Sequence, residues 1–257
     1  MHATTLDHLA MALDPALLME AAGFDPDPWQ LTLLRSTSRR LLVNVSRQSG
    51  KSLSTAALAL HGALFDPGSL TLLVSASQRQ ANELFRKTLA FYEALGRPVD
   101  ATEDNARTLA LASGSRIVSL PGNPDTIRGF SAPRLVVVDE SGQVPDEMFI
   151  ALSPMLAVGR GRTIELSTPY GRRGHYYEAW TAGGGDWERI ELKATENPRM
   201  DPAFLEQERR ILGARWFAQE YLCEFHDTDD QIFSGDVIDR AFESDRSSIF
   251  QGVNFDD

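Results

Sequence analysis

Apolar residues along the chain fall into short continuous runs, and these runs alternate with longer amphipathic stretches. The runs at 41–45, 70–75 and 135–138 are mostly apolar, which is typical of strands buried on both faces. The stretches at 51–64 and 78–95 carry apolar residues at helical spacing. This alternation predicts an α/β fold in which helices flank a mainly parallel sheet.

Shorter elements are predicted around these runs. Strands are expected at 107–111, 116–120 and 163–166, and the residues at 1–25 have the spacing of a helical lead-in. No internal repeat accompanies the pattern. The chain is therefore expected to contain one α/β core rather than an array of small units.

The organisation changes near residue 195. Pro198 and Pro202 mark a connector, and a helix is predicted at 203–221. We therefore divide the chain into an α/β core with its lead-in at 1–194 and a small helical lid or linker subdomain with an acidic tail at 195–257.

Composition excludes several classes of protein. With 257 residues and 42% hydrophobic content, the chain can bury a large core. No stretch has the length of a membrane-spanning helix and the N-terminus lacks a secretory signal, so we expect a soluble, intracellular protein with no membrane partner. Cys223 is the single cysteine, which excludes an internal disulfide or a cysteine metal cluster; we expect it to be a small buried apolar residue.

The net charge of −11 is unevenly distributed. Residues 227–257 hold nine acidic residues against two arginines, a contribution of −7, and the preceding 226 residues carry the remaining −4. This balance disfavours a tight non-specific DNA binder but allows transient contacts with phosphate groups.

A candidate phosphate loop follows the first apolar run. It has the sequence VSRQSGKS at 45–52 and precedes a predicted helix, an order in which backbone N–H groups and a helix N-terminus bind nucleotide phosphates. Val45 stands where the usual pattern begins with glycine, so an ordinary turn into a helix is the alternative. The predicted nucleotide-binding residues of the loop are Ser46, Arg47, Gln48, Ser49, Gly50, Lys51 and Ser52.

Charge around the loop favours the nucleotide interpretation. No Asp or Glu occurs at 28–65, and Lys51 is one of only three lysines in the chain. In such loops the lysine contacts the β and γ phosphates and the serine hydroxyl ligates Mg²⁺. The roles fall to Lys51 and Ser52.

Paired carboxylates end another apolar run. Asp139 and Glu140 follow 135–138, and at the end of a strand beside the loop Asp139 could hold Mg²⁺ while Glu140 deprotonates the attacking water. A solvated strand end is the alternative for this motif alone. The combination of both motifs predicts ATP hydrolysis with Mg²⁺.

Weaker signals lie elsewhere. Ser167 and Thr168 follow the strand predicted at 163–166 and could sense the γ-phosphate; a simple turn is the alternative. Gln30 could contact an adenine edge and Trp29 its ring face, with a core Trp beside a surface Gln as the alternative.

Two arginines are candidates for an arginine finger, which stabilises charge on the transferred phosphoryl group. Arg47 lies inside the loop and could act within its own chain. Arg128 lies in a segment flanked by Pro and Gly and could reach a neighbouring subunit. For each, a surface arginine is the alternative. The five histidines show no metal-ligand spacing and receive no role.

Together these residues resemble the ATPase domain of the large terminase subunit, the DNA-packaging motor of tailed bacteriophages. Ser46 to Ser52 is similar to that family's variant phosphate loop, in which the early glycine is commonly missing. The segments beginning at Pro28, Val138 and Ser167 resemble its adenine, Mg²⁺-binding and coupling motifs.

The resemblance implies a P-loop NTPase at 1–194 that hydrolyses ATP to move double-stranded DNA into a procapsid. It also implies a pentameric ring docked on the portal protein in the host cytoplasm, a small terminase subunit as partner, and Arg128 acting across subunits. The family also has a C-terminal nuclease of RNase H type. The sequence ends at Asp257, about where that nuclease would begin, so we expect no nuclease activity from this polypeptide.

Two other functions remain open from the residues alone. A nucleotide-binding assembly module or switch would use the same loop with little turnover. A helicase-like translocase would need a second motor domain, for which the sequence has no room.

Overall fold

The computed structural model describes residues 5–227. Its centre is an eight-stranded sheet with strand order β3-β4-β5-β2-β6-β7-β1-β8. The strands are β1 (Arg40–Val45), β2 (Leu70–Ser75), β3 (Ala101–Asp104), β4 (Thr108–Leu111), β5 (Arg116–Pro121), β6 (Leu135–Asp139), β7 (Arg162–Ser167) and β8 (Glu188–Leu192).

Helices cover both faces of this sheet, so the predicted α/β fold is confirmed. In chain order they are α1 (Thr5–Leu13), α2 (Pro15–Ala21), α3 (Pro28–Arg35), α4 (Lys51–Phe65), α5 (Gln78–Ala94), α6 (Pro124–Ile127), α7 (Asp146–Gly159), α8 (Gly174–Ala182) and α9 (Pro202–Tyr221).

Six strands run in one direction. Strands β5, β2, β6, β7, β1 and β8 pair in parallel, whereas β3 and β4 pair antiparallel beside β5. All parallel strands therefore begin at one edge of the sheet, here called the N-terminal edge, and end at the other, here called the C-terminal edge. Residues that follow the apolar runs meet at the C-terminal edge.

Burial on both faces explains why these runs are continuous. In β6, Val137 packs into a cluster with residues of α4 and α5, whereas Val136 and Val138 pack with Met148 and Phe149 of α7 on the opposite face. A polar residue at any of these positions would lie in a helix interface. The strand interior is therefore apolar throughout.

Some elements were not predicted. The strands β3 and β8 and the helices α7 and α8 have no counterpart in the sequence prediction. Most of β3 is exposed, and in β8 only Ile190 is buried, so neither strand shows a buried apolar run. These edge strands lack the signal that identified the central ones.

The C-terminal part of the described chain forms a small cluster of its own. Leu205, Phe217 and Tyr221 of α9 pack against Ala194, and Gly213 interrupts the helix with φ 76°. The boundary at residue 195 stays a prediction, and most of the acidic tail, residues 228–257, lies outside the described residues. Within 5–227 no helix combines the length and apolarity needed to cross a bilayer.

Candidate nucleotide site

The predicted phosphate loop joins β1 to α4 at the C-terminal edge of the sheet. Gln48 and Gly50 have positive φ angles of 62° and 86°, which turn the chain sharply between strand and helix. Gly50 is the residue before the first turn of α4. The loop therefore places a helix N-terminus, with its free N–H groups and positive partial charge, where phosphates can approach.

Two side chains of the loop make hydrogen bonds that fix their positions, and the bond of Ser52 joins the two predicted motifs. Lys51 is 8% exposed, and its Nζ donates to the Val45 carbonyl oxygen at 3.1 Å. The Oγ of Ser52 donates to Oδ2 of Asp139 at 3.1 Å. Residues 87 positions apart are thus brought together, and their oxygens form a pair of the type that Mg²⁺ prefers.

Hydrogen bonds from distant elements hold the loop in shape. The hydroxyls of Ser46 and Ser49 lie 2.9 Å apart, and Nδ2 of Asn197 donates to Ser49 Oγ at 3.2 Å. The Ser46 N–H donates to the carbonyl oxygen of Leu192 at 3.0 Å. The segment after β8 therefore supports the loop, a role for Asn197 that no local pattern could have predicted.

The carboxylates lie where β6 ends, separated from β1 by the single strand β7. Asp139 is 8% exposed, and its Oδ1 accepts from the Glu140 N–H at 3.1 Å. Glu140 takes a left-handed conformation with φ 53°, which is uncommon for a residue other than glycine and is concentrated at functional sites.

Burial controls the acidity of Glu140. The pKa of this carboxyl is raised above its usual value, first because burial disfavours the charged form and then because Asp139 is nearby; Lys51 and Arg47 act in the opposite direction. A carboxylate with a raised pKa is a better proton acceptor at neutral pH. Glu140 therefore has the environment expected of a general base.

The two candidate fingers lie in different surroundings. The Arg47 guanidinium Nε pairs with Oε2 of Glu220 in α9, and the Arg47 N–H donates to the Glu220 carbonyl oxygen at 3.3 Å. Arg128 is exposed and contacts Asp125 three residues earlier at 3.2 Å. It follows β5, which is four interstrand spacings, about 19 Å, from β1.

The predicted coupling segment lies between the loop and the carboxylates. Ser167 ends β7, and its Oγ accepts from the Gly142 N–H at 3.2 Å, just after the carboxylate pair. Thr168 follows and is 7% exposed. A movement of Gly142 relative to β7 would therefore change a hydrogen bond of the segment predicted to sense the γ-phosphate.

A buried carboxylate in β7 extends this link. Glu165 is 1% exposed; its Oε2 accepts from Ser141 Oγ at 2.8 Å and its Oε1 lies 3.1 Å from His175 Nε2. His175 also stacks on Phe149 with ring centroids 3.9 Å apart. The sequence showed no role for Glu165 or His175, because their contacts depend on long-range packing.

Trp29 and Gln30 are both buried. Trp29 belongs to the main core cluster. Gln30 Oε1 accepts from the Asp27 N–H at 2.8 Å, and its Nε2 donates to Ser54 Oγ at 3.0 Å. The alternative interpretation of Gln30 as a surface residue is therefore wrong. Its amide forms a buried hydrogen bond between α3 and α4. The predicted adenine contact of both residues stays a prediction.

Comparison with known proteins gives an independent family match. The family described as "Terminase large subunit, T4likevirus-type, N-terminal" matches residues 42–240. The large terminase subunit of Thermus virus P23-45 is 28% identical over 253 residues, covering 84% of this chain and 52% of the relative. The chain thus spans about half the length of that relative.

Solved structures share the fold. The large terminase ATPase domain of Thermus phage P74-26 superposes with a TM-score of 0.72 at 22% identity, covering 80% of this chain and 96% of that one. The large terminase of another thermophilic bacteriophage, solved in complex with ATP-γ-S, gives a TM-score of 0.58 at 11% identity, covering 81% and 52%. Both likenesses identify a P-loop type α/β fold.

Proposed function

The chain belongs to the family of terminase large subunits, matching its N-terminal part over residues 42–240, and from this premise we propose that it is the ATP-hydrolysing motor domain of a viral DNA-packaging machine. The domain binds Mg²⁺-ATP at the C-terminal edge of its sheet and uses hydrolysis to drive double-stranded DNA into a procapsid. The thermophilic phage terminase solved with ATP-γ-S supports the nucleotide assignment.

The contact between Ser52 and Asp139 is the observation that carries this proposal. It joins the phosphate loop to the carboxylate strand at 3.1 Å, which is the juxtaposition that a Mg²⁺-nucleotide site requires. Gly50 is tightly packed beside the first turn of α4, because a Cβ added there would lie 2.9 Å from Gln30 Nε2. Because its φ is also 86°, the loop conformation depends on a glycine at this position.

Each residue of the site has a distinct task. Bound Mg²⁺-ATP supplies the phosphoanhydride bond that is broken and positive charge beside its phosphates. Lys51 would exchange its contact with Val45 for the phosphates, and Ser52 and Asp139 would hold the cation. Glu140 accepts the proton of the attacking water, a reaction that its raised pKa favours at neutral pH.

Arg128 is assigned to a neighbouring subunit's site rather than to its own. It follows β5, which lies two strand spacings from β6 and four, about 19 Å, from β1, and its side chain is 64% exposed. An exposed arginine at the edge of the sheet can enter the site of an adjacent subunit, where it would stabilise the developing charge. A pentameric ring supplies that neighbour.

The remaining partners follow from the family. We assign the portal protein and the small terminase subunit as protein partners, double-stranded DNA as the translocated substrate, and the host cytoplasm at the procapsid as the place of action. The chain covers 52% of the length of its Thermus virus relative. We therefore propose these partners for the ATPase domain as one part of the packaging machine.

The test is the steady-state rate of phosphate release from ATP. Lys51→Ala should reduce the rate to background, because the phosphates lose their only buried cation in the loop. Arg86→Gln is a matched control, because Arg86 is an exposed cation paired with Glu83 on α5. Turnover that survives Lys51→Ala would contradict the proposal.

A nucleotide-binding switch with little turnover is the second candidate, favoured by the one observation that Arg47 is held by Glu220 in this state. Glu140→Gln separates the two functions. In a motor this change abolishes turnover and leaves ATP bound, whereas in a switch it changes little.

A further inference from the structure

A row of arginines lies at the N-terminal edge of the sheet, opposite the nucleotide site. Arg39 precedes β1, Arg162 begins β7 and Arg134 precedes β6, and these three strands are neighbours. The Arg162 N–H donates to the Arg134 carbonyl oxygen at 2.9 Å, and the Thr163 N–H donates to that of Arg39 at 2.8 Å. The three backbones therefore lie side by side.

These arginines line a cavity of about 920 Å³. Arg160, which follows α7, joins them there, and the apolar wall includes Leu34, Leu58 and Phe65. A cavity with an apolar wall and a few convergent charged groups is the usual form of a ligand site. This cavity is not the nucleotide site, because the nucleotide site lies at the other end of the same strands.

The acidic residues of the cavity neutralise only one arginine of this row, Arg134. Asp14 pairs with Arg35 at 2.8 Å, and Asp66 pairs with Arg134 at 2.7 Å. The other three arginines of the cavity are Arg39, Arg160 and Arg162. Among residues 5–227, no carboxylate forms an ion pair with any of them. The cavity thus has an excess of positive charge.

Arg162 shows the strongest sign of a missing partner. Its Nε and Nη2 atoms are buried and have no hydrogen-bond partner in the described part of the chain. Burial lowers the pKa of this guanidinium, with Glu188 acting in the opposite direction through its charge. Buried donors without an acceptor are costly to fold, so an acceptor from a ligand would relieve the site.

Helix ends account for only part of the pattern. Arg160 caps the C-terminus of α7, where the helix dipole favours a cation. Its guanidinium nevertheless donates to no carbonyl oxygen within 5–227, and Arg39 likewise makes no side-chain hydrogen bond there. The dipole of α7 explains why an arginine is favourable at position 160. It does not provide an acceptor for the N–H groups of the Arg160 guanidinium, which remain available to a ligand.

We propose that this arginine cavity is a second phosphate-binding site, separate from the phosphate loop. Guanidinium groups match phosphate oxygens with paired hydrogen bonds, and arginine is preferred over lysine for such planar recognition. The phosphate can belong to a nucleic-acid backbone or to a free phosphate compound. The assignment depends on the arginines alone and does not require ATP hydrolysis.

The test uses the exposed arginines, because replacing the partly buried Arg162 could unfold the chain. In a Lys51→Ala background, which removes the phosphate contact of the loop, Arg39→Gln/Arg160→Gln is compared with Arg86→Gln. Fluorescence anisotropy measures binding of a labelled short DNA duplex over a range of salt concentrations. Calorimetry measures binding of inorganic pyrophosphate, and a polyglutamate peptide is the third ligand.

The double substitution should weaken duplex binding about 10-fold and reduce the slope of log K against log salt by about 1.8, since each lost phosphate contact contributes about 0.9. If pyrophosphate binding alone weakens, the source is a free phosphate compound, and the site still stands. Unchanged binding of both ligands overturns the inference, as does loss of peptide binding alone, which would indicate an acidic protein partner.

The ATP turnover of Arg39→Gln/Arg160→Gln with Lys51 intact separates this inference from the proposed function. Normal turnover with weakened duplex or pyrophosphate binding supports a separate site. Normal turnover with unchanged binding overturns the inference and leaves the proposed function standing.

Discussion

The two edges of the parallel sheet carry different chemistry, although the same strands join them. At the C-terminal edge, side chains contact acidic partners, as Ser52 does Asp139 and Arg47 does Glu220. At the N-terminal edge, Arg39, Arg160 and Arg162 face a cavity without carboxylate partners among residues 5–227. In our two proposals, the C-terminal edge binds a nucleotide with its cation and the N-terminal edge binds an anion.

Strand direction produces this separation. A polar residue placed after an apolar run, as Asp139 is, must emerge at the C-terminal edge, whereas one placed before the run, as Arg134 is, must emerge at the opposite edge. Position relative to the run therefore assigns a residue to an edge. The assignment needs only the knowledge that the strands are parallel.

A large effect is expected from removing the negative charge of Asp139, the residue that we propose holds the cation at the C-terminal edge. Asp139→Asn keeps an acceptor for Ser52 Oγ but loses the negative charge, so ATP turnover should fall about 100-fold or more. The measurement is the rate against Mg²⁺ concentration, with Glu83→Gln on α5 as the control. A rate equal to that of the control would contradict the assignment of the cation site.

A smaller effect is expected from Arg128→Ala. If this arginine serves a neighbour, the rate per chain should rise with protein concentration in the wild type, and the substitution should remove that rise, an effect of at least about 10-fold at the highest concentration. Arg47→Ala is the comparison, because loss of a finger within the same chain lowers the rate equally at all concentrations. Concentration-independent loss in Arg128→Ala would contradict the assignment across subunits.

Gly50→Ala tests how tightly the C-terminal edge is built. The residue has φ 86°, and its new Cβ would meet Gln30 Nε2 at 2.9 Å, so we expect a loss of about 2 kcal/mol in unfolding free energy. Gly68→Ala is the matched control, with φ 77° but open space around the Cβ; its loss should be about 1 kcal/mol. Chemical denaturation measures both free energies of unfolding. Equal losses would show that the Gln30 side chain can move away from the new Cβ without a loss of stability.

The smallest effect concerns pH. Burial lowers the pKa of His175, but the hydrogen bond and the charge of Glu165 outweigh it, and the pKa is raised overall. The protonated pair is therefore fully stabilising below the unfolded pKa of about 6.5, and this contribution is lost as pH rises through the folded value. The melting temperature of His175→Gln should thus approach that of the wild type as pH increases.

His61 supplies a control of opposite sign. Burial lowers its pKa, so its contribution is reduced as pH falls, and the advantage of the wild type over His61→Gln should grow as pH increases. Melting curves over a range of about one pH unit on either side of the ordinary histidine pKa measure both differences. Parallel trends for the two variants would contradict the role given to Glu165.

The sequence predicted the central sheet because its signals are local. Leu70–Ser75 is a strand over all the predicted residues, since burial on both faces requires a continuous apolar run. Ala101–Asp104 is largely exposed and has no such signal. It is a strand because β4 pairs with it, and pairing partners are not encoded in a short window of sequence.

The site follows the same division. The loop and the carboxylates were identified because each motif lies next to a strand, and the structure brings Ser52 and Asp139 together. Asn197, Glu220 and Glu165 were missed, because each acts through a partner far away in the chain or on another element. Only the tertiary structure shows that Asn197 contacts Ser49 across 148 positions.

The most direct test of the account measures ATP binding and phosphate release on the same preparation of Glu140→Gln. We predict that the variant binds ATP about as tightly as the wild type, since Lys51, Ser52 and Asp139 are intact, while its phosphate release falls about 1000-fold through loss of the base. Phosphate release at the wild-type rate by the variant would contradict the central claim that Glu140 activates the water at this edge of the sheet.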